Sequence, residues 1–125
     1  MTARVRSIAP QLLVDDLDTA LAYYRDRLGF TVDFTYESFY AAVSRDGATV
    51  HLKHAPKTVA DRVLRREQEH LDAYLATSGV ETLYQELQSR GARIIKSLGV
   101  RPWGHTDFCV EDADGYILCF SEDKA

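Results

Sequence analysis

Two stretches decide the fold: LDTALAYYRDRLG at residues 17–29 and VETLYQELQSRG at residues 80–91. The second begins 63 residues after the first, and each ends on a glycine. In both stretches apolar side chains recur at helical spacing along one face, which predicts a pair of amphipathic helices. Gly29 and Gly91 stand where a helix commonly ends on a left-handed residue. The sequence therefore predicts an internal repeat with one helix in each copy.

Strand patterns surround the two helices in the same order. One strand precedes each helix and three follow it, with turn sequences at Asp46-Gly47 and at residues 112–115. The predicted strands are residues 8–14, 30–36, 39–45 and 48–53 in the first copy, and 71–77, 93–96, 106–111 and 116–121 in the second. We therefore predict an α+β fold of two βαβββ modules in tandem, which form curved mixed sheets with the helices on the outer face.

Capping residues and a change in composition mark the boundaries of these units. Asp15 or Asp16 is expected to cap the first helix, and Ser78 with Glu81 forms a capping box for the second. A polar stretch separates the two copies. We expect a single domain over residues 1–125, with module one at 5–54, a linker at 55–70 and module two at 71–122.

Composition and charge exclude several classes of protein. The chain has 125 residues, of which 46 % are apolar and 27 % charged, as in a single globular domain and unlike a disordered chain. A net charge of −4 argues against nucleic-acid binding. No apolar stretch approaches the ~20 residues of a membrane span. Two cysteines are too few for a disulfide framework, so we expect a reduced, cytoplasmic protein.

Paired βαβββ units resemble the vicinal oxygen chelate superfamily, which contains glyoxalases, extradiol dioxygenases and bleomycin-resistance proteins. The stretches that carry the resemblance are residues 14–24, running into Leu28-Gly29-Phe30, residues 79–84, Pro102-Trp103-Gly104 and residues 111–116, where the family usually has Asp-Pro-Asp-Gly. The Trp-Gly loop and the short length look most like the bleomycin-resistance branch. The resemblance implies a homodimer whose two chains form the ligand cleft, possibly with exchanged modules.

The resemblance also implies where the metal-dependent members would bind their ion. They use four side chains on the first and last strands of the modules, and the matching positions here are Ala9, His51, Asp72 and Cys119. Ala9 has no ligand atom, whereas imidazole, carboxylate and thiolate are all accepted by Zn²⁺. We expect no metal and no cofactor, with one divalent ion such as Zn, Ni, Mn or Fe as the alternative.

Strand alternation predicts the direction of the two cysteines and of His51 without the family. Val50 points to the helix side, so His51 points to the open face of its sheet. Cys119 is expected on the open face of the second sheet, as either a small buried residue or a nucleophile beside a base. A four-residue turn at 112–115 would direct the Cys109 thiol to the opposite face, so a disulfide is not expected.

Aromatic side chains supply candidate walls for a ligand site. Trp103 can stack on a flat ring or pack against its own sheet. Phe39 and Tyr40 belong to an aromatic cluster at residues 34–40 whose members can form core, dimer interface or ligand wall. Asp72 and Glu111 are acidic, and acidic side chains near such walls would favour a cationic ligand.

These observations lead to one hypothesis and two alternatives. The hypothesis is a metal-free protein, of the kind that gives antibiotic resistance, which sequesters a drug-like, planar or cationic ligand in a dimer cleft without breaking a bond. Its site residues would be His51, Asp72, Trp103, Phe39, Tyr40, Cys119 and Glu111. The first alternative is a metal-dependent lyase, isomerase or dioxygenase in which the ion polarises two adjacent substrate oxygens. The second is a regulatory module with a vestigial cleft and a protein partner. The fold alone does not choose among them.

Overall fold

The computed structural model describes residues 2–55 and 71–123, so most of the predicted linker lies outside the described residues. The first module contains β1 (Gln11–Val14), α1 (Leu17–Ala22), β2 (Thr31–Tyr36), β3 (Tyr40–Arg45) and β4 (Ala48–His54). The second contains β5 (Ala73–Ala76), α2 (Val80–Ser89), β6 (Arg93–Val100), β7 (Thr106–Glu111) and β8 (Ile117–Glu122). The predicted order of elements is confirmed, although β1 begins three residues later than predicted and β6 ends four residues later.

Each module forms one four-stranded mixed sheet. The strand orders are β1-β4-β3-β2 and β5-β8-β7-β6. In each sheet the first strand of the module runs parallel to the last, and the remaining neighbours are antiparallel. This arrangement confirms the α+β fold of two βαβββ modules. Within the described ranges, no helix combines the length and the apolar character needed to cross a membrane.

The two modules share one hydrophobic core. Leu12 and Leu52 from the first sheet join Leu87 from α2, and Phe108 and Phe120 from the second sheet. Alternate residues of each strand supply this core, because successive side chains of a strand point to opposite faces. Since both sheets bury one face in the same core, their other faces point away from each other. We call these the first open face, on β1 to β4, and the second open face, on β5 to β8.

The starts of the two helices differ in how they are capped. The Asp16 carboxylate accepts hydrogen bonds from backbone N–H groups of the first turn of α1, as predicted. α2 begins after Gly79, whose φ of 75° places it in the left-handed region. Glu122 Oε1 on β8 accepts from the N–H of Gly79 at 3.1 Å and of Val80 at 3.0 Å. The predicted capping box is therefore wrong, because the Glu122 carboxylate of β8 accepts from the backbone N–H groups at the start of α2.

The first helix widens in its middle. α1 ends at Ala22, and Tyr23–Arg27 form a π-helical turn in place of the continuous α-helix that the sequence predicts. Tyr23 Oη donates to the Glu111 carbonyl oxygen at 2.7 Å and accepts from Arg93 N at 2.9 Å. The hydroxyl groups of both neighbouring tyrosines thus reach the second module. Single π turns of this kind commonly mark sites with a special role.

The Tyr24 side chain and a buried carboxyl group join the first helix to the β7–β8 turn. Tyr24 is fully buried, and its hydroxyl donates to Asp112 Oδ2 at 2.7 Å. Asp112 Oδ1 accepts from the N–H groups of Asp114 and Tyr116, both at 2.9 Å. Burial raises the pKa of Asp112 to about 6, although these three donors act to lower it. Burial beside this carboxyl group also raises the pKa of Tyr24.

An ion cluster joins the modules on another side. Arg45 donates to both carboxylate oxygens of Glu86, at 2.8 and 2.7 Å, and to the Leu28 carbonyl oxygen at 3.0 Å. Arg90 donates to the same carboxylate at 2.8 Å. Arg45 is the main cause that lowers the pKa of Glu86 to about 2. A bidentate pair of this kind fixes orientation as well as supplying attraction.

The β7–β8 turn differs by one residue from the prediction. Asp112 N donates to the Tyr116 carbonyl oxygen at 2.8 Å, so the loop contains only residues 113–115. Cys109 therefore pairs directly with Cys119, and both thiols lie on the second open face. The prediction that they point to opposite faces is wrong, because Asp112 still belongs to the ladder and is not part of the loop.

Candidate functional site

The first open face carries an aromatic cluster around His51. The Tyr40 ring stacks on Phe34 with centroids 6.2 Å apart and planes 6° apart. Its hydroxyl lies 2.8 Å from His51 Nδ1 and accepts a hydrogen bond from Gln11 Nε2 at 3.0 Å. The pairing of β3 with β4 places Tyr40 and His51 on the same face of the first sheet.

The Tyr40 hydroxyl can serve His51 as a hydrogen-bond donor. Because the Tyr40 hydroxyl accepts from Gln11, its own proton is available for His51 Nδ1. Neutral imidazole has one donor and one acceptor nitrogen, so a ring that accepts at Nδ1 carries its proton on Nε2. In that tautomer His51 offers an N–H donor beside the rings of Phe34 and Tyr40.

Phe39 lies beside this cluster, immediately before β3. Its ring centroid is 6.4 Å from that of Tyr40, and Lys53 Nζ lies 5.6 Å from its centre. A cation at that distance is attracted by the ring face. Phe39 and its neighbours Phe34 and Tyr36 are all exposed, so the cluster presents apolar rings to solvent.

The second open face contains a cavity of about 460 Å³. Trp103 and Tyr74 form its exposed rim, with 66 % and 55 % of their surface accessible. Its other walls come from Leu71, Ile95, Lys96, Asp107, Cys109, Ile117 and Cys119. Of these wall residues only Cys119 was among the predicted site residues, and the one-residue error in the β7–β8 register had placed Cys109 on the opposite face.

The two thiols lie on the wall of this cavity. Both cysteines are reduced, and Cys109 is 5 % exposed and Cys119 3 %. The hydrogen bond from Cys119 is the main cause that lowers the pKa of Cys109, and Lys96 and Arg101 act in the same direction. The same hydrogen bond raises the pKa of Cys119.

The predicted acidic residues already hold partners within the chain. Asp72 Oδ2 accepts from Ile117 N at 2.8 Å. Glu111 is buried on the second open face, and its Oε1 accepts from Arg93 Nη1 at 2.9 Å. Neither lines the cavity beside Trp103. The acidic group that does line it, Asp107, is paired with Arg101 at 2.5 Å.

The four positions that the resemblance implies for a metal do not form one site in a single chain. His51 lies on β4 of the first module, whereas Asp72, just before β5, and Cys119 on β8 lie in the second. Ala9 has no ligand atom and precedes β1. Among residues 2–55 and 71–123, no group of three His, Cys, Asp and Glu side chains is close enough to hold an ion. Within one chain, these four positions therefore do not converge on a common point.

A larger groove of about 670 Å³ lies between the modules, away from both open faces. Its walls include Arg45 and Glu86, which are already paired with each other, and the loop before α2. None of the predicted site residues lines this groove. The candidate site is therefore the pair of open faces, with the second the more enclosed of the two.

The sequence profile of the glyoxalase/bleomycin resistance protein/dioxygenase superfamily matches residues 4–120. The chain belongs to this superfamily. The resemblance seen in the sequence is thereby confirmed, since the match covers both modules. A comparison with curated proteins gives no match.

Solved structures of superfamily members have the same fold. A bleomycin-binding protein in complex with bleomycin is 21 % identical with a TM-score of 0.77, over 96 % of this chain and 100 % of that one. The bleomycin-binding protein of bleomycin-producing Streptomyces verticillus, with copper(II)-bleomycin, is 18 % identical with a TM-score of 0.70, over 99 % of both chains. A glyoxalase-related enzyme from Clostridium phytofermentans is 18 % identical with a TM-score of 0.78, over 98 % of both. At these identities the likeness establishes the fold.

Proposed function

We propose that this protein sequesters a planar, drug-like ligand, preferentially a cationic one, in a cleft between two copies of the chain. Binding alone accounts for the activity, and no bond of the ligand is broken. The protein would act in the reducing cytoplasm, where both cysteines stay free, and would protect the cell from an antibiotic. Superfamily members of the same fold that bind bleomycin support the class of ligand.

The observation that carries the proposal is the exposure of aromatic rings on both open faces. Phe34, Tyr36 and Phe39 are exposed on the first face, and Tyr74 and Trp103 on the second. Isolated exposed rings are common, but a contiguous group beside a cavity marks an interaction site. A flat ligand would stack on these rings, with the His51 Nε2 proton available to an acceptor atom.

The position of the two faces supports a cleft made by two chains. Both sheets bury their inner faces in one core, so the open faces of one chain lie on opposite sides of it. His51 and Trp103 can therefore contact one ligand only if the first face of one copy meets the second face of another. A dimer with exchanged modules would produce the same pairing.

The donor set supports a site without a metal. Ala9 supplies no ligand atom, and the Asp72 carboxylate holds a backbone N–H group. Metal content measured on protein purified without an affinity tag tests this part. We expect less than one equivalent of Zn, Ni, Mn or Fe, and one equivalent that is lost in His51→Ala would contradict it.

Binding is tested by titration calorimetry and Trp103 fluorescence with three probes: bleomycin, copper(II)-bleomycin and ethidium as a planar cation. We expect one probe at least to bind, and Trp103→Ala to weaken it about tenfold or more, as expected for loss of a buried aromatic contact of at least ~1.4 kcal/mol. Val100→Ala is the matched control, since Val100 is equally exposed at 66 % but lies outside the cavity. If none of the probes binds, or if both variants weaken binding equally, the proposal is wrong.

A further inference from the structure

The two cysteines of the second open face occupy a special position in the ladder. Cys109 on β7 and Cys119 on β8 are direct cross-strand partners. On either side of Cys119, the carbonyl oxygens of Ile117 and Ser121 accept from Asp72 N and Thr77 N, both at 2.8 Å. The backbone groups of alternate residues share one edge of a strand, so those of Cys119 also face β5. Cys109 and Cys119 thus form a non-hydrogen-bonded pair of the β7–β8 ladder.

This type of pair brings side chains closest together. Directly opposite residues at such positions have Cα atoms about 4.5 Å apart, against about 5.5 Å at hydrogen-bonded positions. Both thiols project from the same face into a shared cluster with Ile117. One small atom can therefore contact both sulfurs without movement of either strand.

The surroundings of the thiols form a pocket for a compact apolar group. Both sulfurs lie on the wall of the cavity of about 460 Å³, next to Ile95. Leu71, Tyr74 and Trp103 at its rim are exposed, so the pocket is open to solvent on the side of these rings. A ring that enters here would meet an aliphatic wall and an indole.

We propose that Cys109 and Cys119 form a dithiol site for trivalent arsenicals that carry one organic group. Such an arsenic atom needs two further bonds and prefers soft sulfur ligands, and the pair supplies two thiol groups from one face. The organic group would lie between Ile95 and Trp103, where a bare metal ion would leave the pocket empty. This inference goes beyond the proposed function, because it assigns a second, thiophilic class of ligand to the second open face, held by two As–S bonds.

The binding step balances without an oxidant. An organoarsenic(III) oxide, R–As=O, reacts with the two thiol groups so that two As–S bonds form and the As=O bond breaks. The two thiol protons leave with the oxygen as one water molecule. Arsenic remains trivalent and both sulfurs keep their oxidation state, so a competing dithiol reverses the reaction.

Phenylarsine oxide is the probe that tests the site. We expect intact-mass spectrometry to show one phenylarsenic group per chain with loss of two hydrogens, together with a change in Trp103 fluorescence. Cys109→Ser and Cys119→Ser should each weaken binding about 10²-fold or more, because the second bond forms at high effective concentration. An excess of a small dithiol should release the arsenical, and an equal excess of a monothiol should not.

Alkylation of the wild-type protein keeps the test decisive if either serine variant fails to fold. One equivalent of phenylarsine oxide should protect both Cys109 and Cys119 from iodoacetamide. Protection of one cysteine only, absence of an adduct, or equal binding by a folded serine variant would each overturn the proposal. An arsenical that bridges both sulfurs in a protein that binds none of the planar probes would leave the dithiol site standing and remove the drug-sequestration function.

Discussion

Replacing Asp112 with Asn tests whether the buried carboxyl group of the β7–β8 turn makes stability depend on pH. Asp112 is 1 % exposed and accepts hydrogen bonds from the Tyr24 hydroxyl and from two backbone N–H groups. Asn keeps the size and one acceptor oxygen of the side chain but carries no charge at any pH. The difference in unfolding free energy between the variant and the wild type therefore isolates the titration of this carboxyl group.

The magnitude follows from the raised pKa. Burial raises the pKa of Asp112 from 3.8 to about 6 in the folded protein. The folded state thus holds a proton that the unfolded chain loses between these values, so the stabilisation is complete below 3.8 and is lost as the pH rises through about 6. At about 1.4 kcal/mol per pH unit, the loss amounts to about 3 kcal/mol. The free energy of unfolding of Asp112→Asn, relative to that of the wild type, should therefore increase by about 3 kcal/mol as the pH rises from about 4 to about 8.

Urea denaturation followed by circular dichroism at several pH values measures this difference. A constant difference, within about 1 kcal/mol over the whole range, would refute the reasoning and assign Asp112 an ordinary pKa. Tyr24→Phe provides a second test, because it removes a donor to the carboxylate. The loss of unfolding free energy caused by Tyr24→Phe should rise from about 1 kcal/mol at low pH to about 1.5–3 kcal/mol above pH 6, because a hydrogen bond to a charged carboxylate is stronger than one to a neutral carboxyl group. Tyr23→Phe is the matched control, since the Tyr23 hydroxyl donates to a neutral carbonyl group and its loss should cost the same at each pH.

Four further substitutions have outcomes that follow from the contacts, each measured by urea denaturation. Glu86→Gln should cost about 1 kcal/mol at neutral pH, allowing for its solvent exposure. Because Arg45 lowers the pKa of Glu86 to about 2, this cost should be complete above pH 4.5 and disappear as the pH falls through about 2. Gly29→Ala should cost about 1–2 kcal/mol, because φ is 74° there. Glu122→Ala should cost about 1 kcal/mol by uncapping α2. Leu87→Ala, at a fully buried position, should cost about 2–5 kcal/mol. The reasoning for Glu86 is contradicted if Glu86→Gln lowers the free energy of unfolding equally at acid and neutral pH. The reasoning for the other three contacts is contradicted if their variants change it by less than about 0.5 kcal/mol.

Local sequence patterns were sufficient for the elements of the fold. Alternation along residues 48–53 placed His51 on the open face, and the repeat of the helical segments gave the order of elements in both modules. Asp16 could be recognised as a cap because its hydrogen bonds are made within its own turn. Each of these features depends on residues that are near neighbours in the chain.

Features that depend on distant residues could not be predicted. The π turn at Tyr23–Arg27 accompanies contacts with residues about seventy to ninety positions away, which helical periodicity does not contain. Glu122 caps α2 from β8, which is distant in the sequence, whereas the local pattern favours Ser78 and Glu81. The Cys109–Cys119 pair was missed through one residue of turn register, since such a shift moves every side chain to the other face.

The arrangement of the candidate site could not be predicted from strand patterns. Tyr40 and His51 share a face of the first sheet, and the Tyr40 hydroxyl lies 2.8 Å from His51 Nδ1. Trp103 lies on the other side of the core from them, because each sheet buries its inner face in that core. Strand parity gives the face of a residue within its own sheet, but it contains no information on how two sheets are placed relative to each other.

The contacts between Tyr24 and the β7–β8 turn have a consequence for biosynthesis. The partners are 88 positions apart in the chain, and the bond between Tyr116 and Leu13 spans 103. A ribosome adds about 5–20 residues per second, so the β7–β8 hairpin is synthesised several seconds after the first helix. During that time Tyr24 and its apolar neighbours stay accessible to chaperones. Mutations in the last hairpin would therefore lower the yield of folded protein in cells more than their equilibrium cost suggests, because closure of the core depends on the residues translated last.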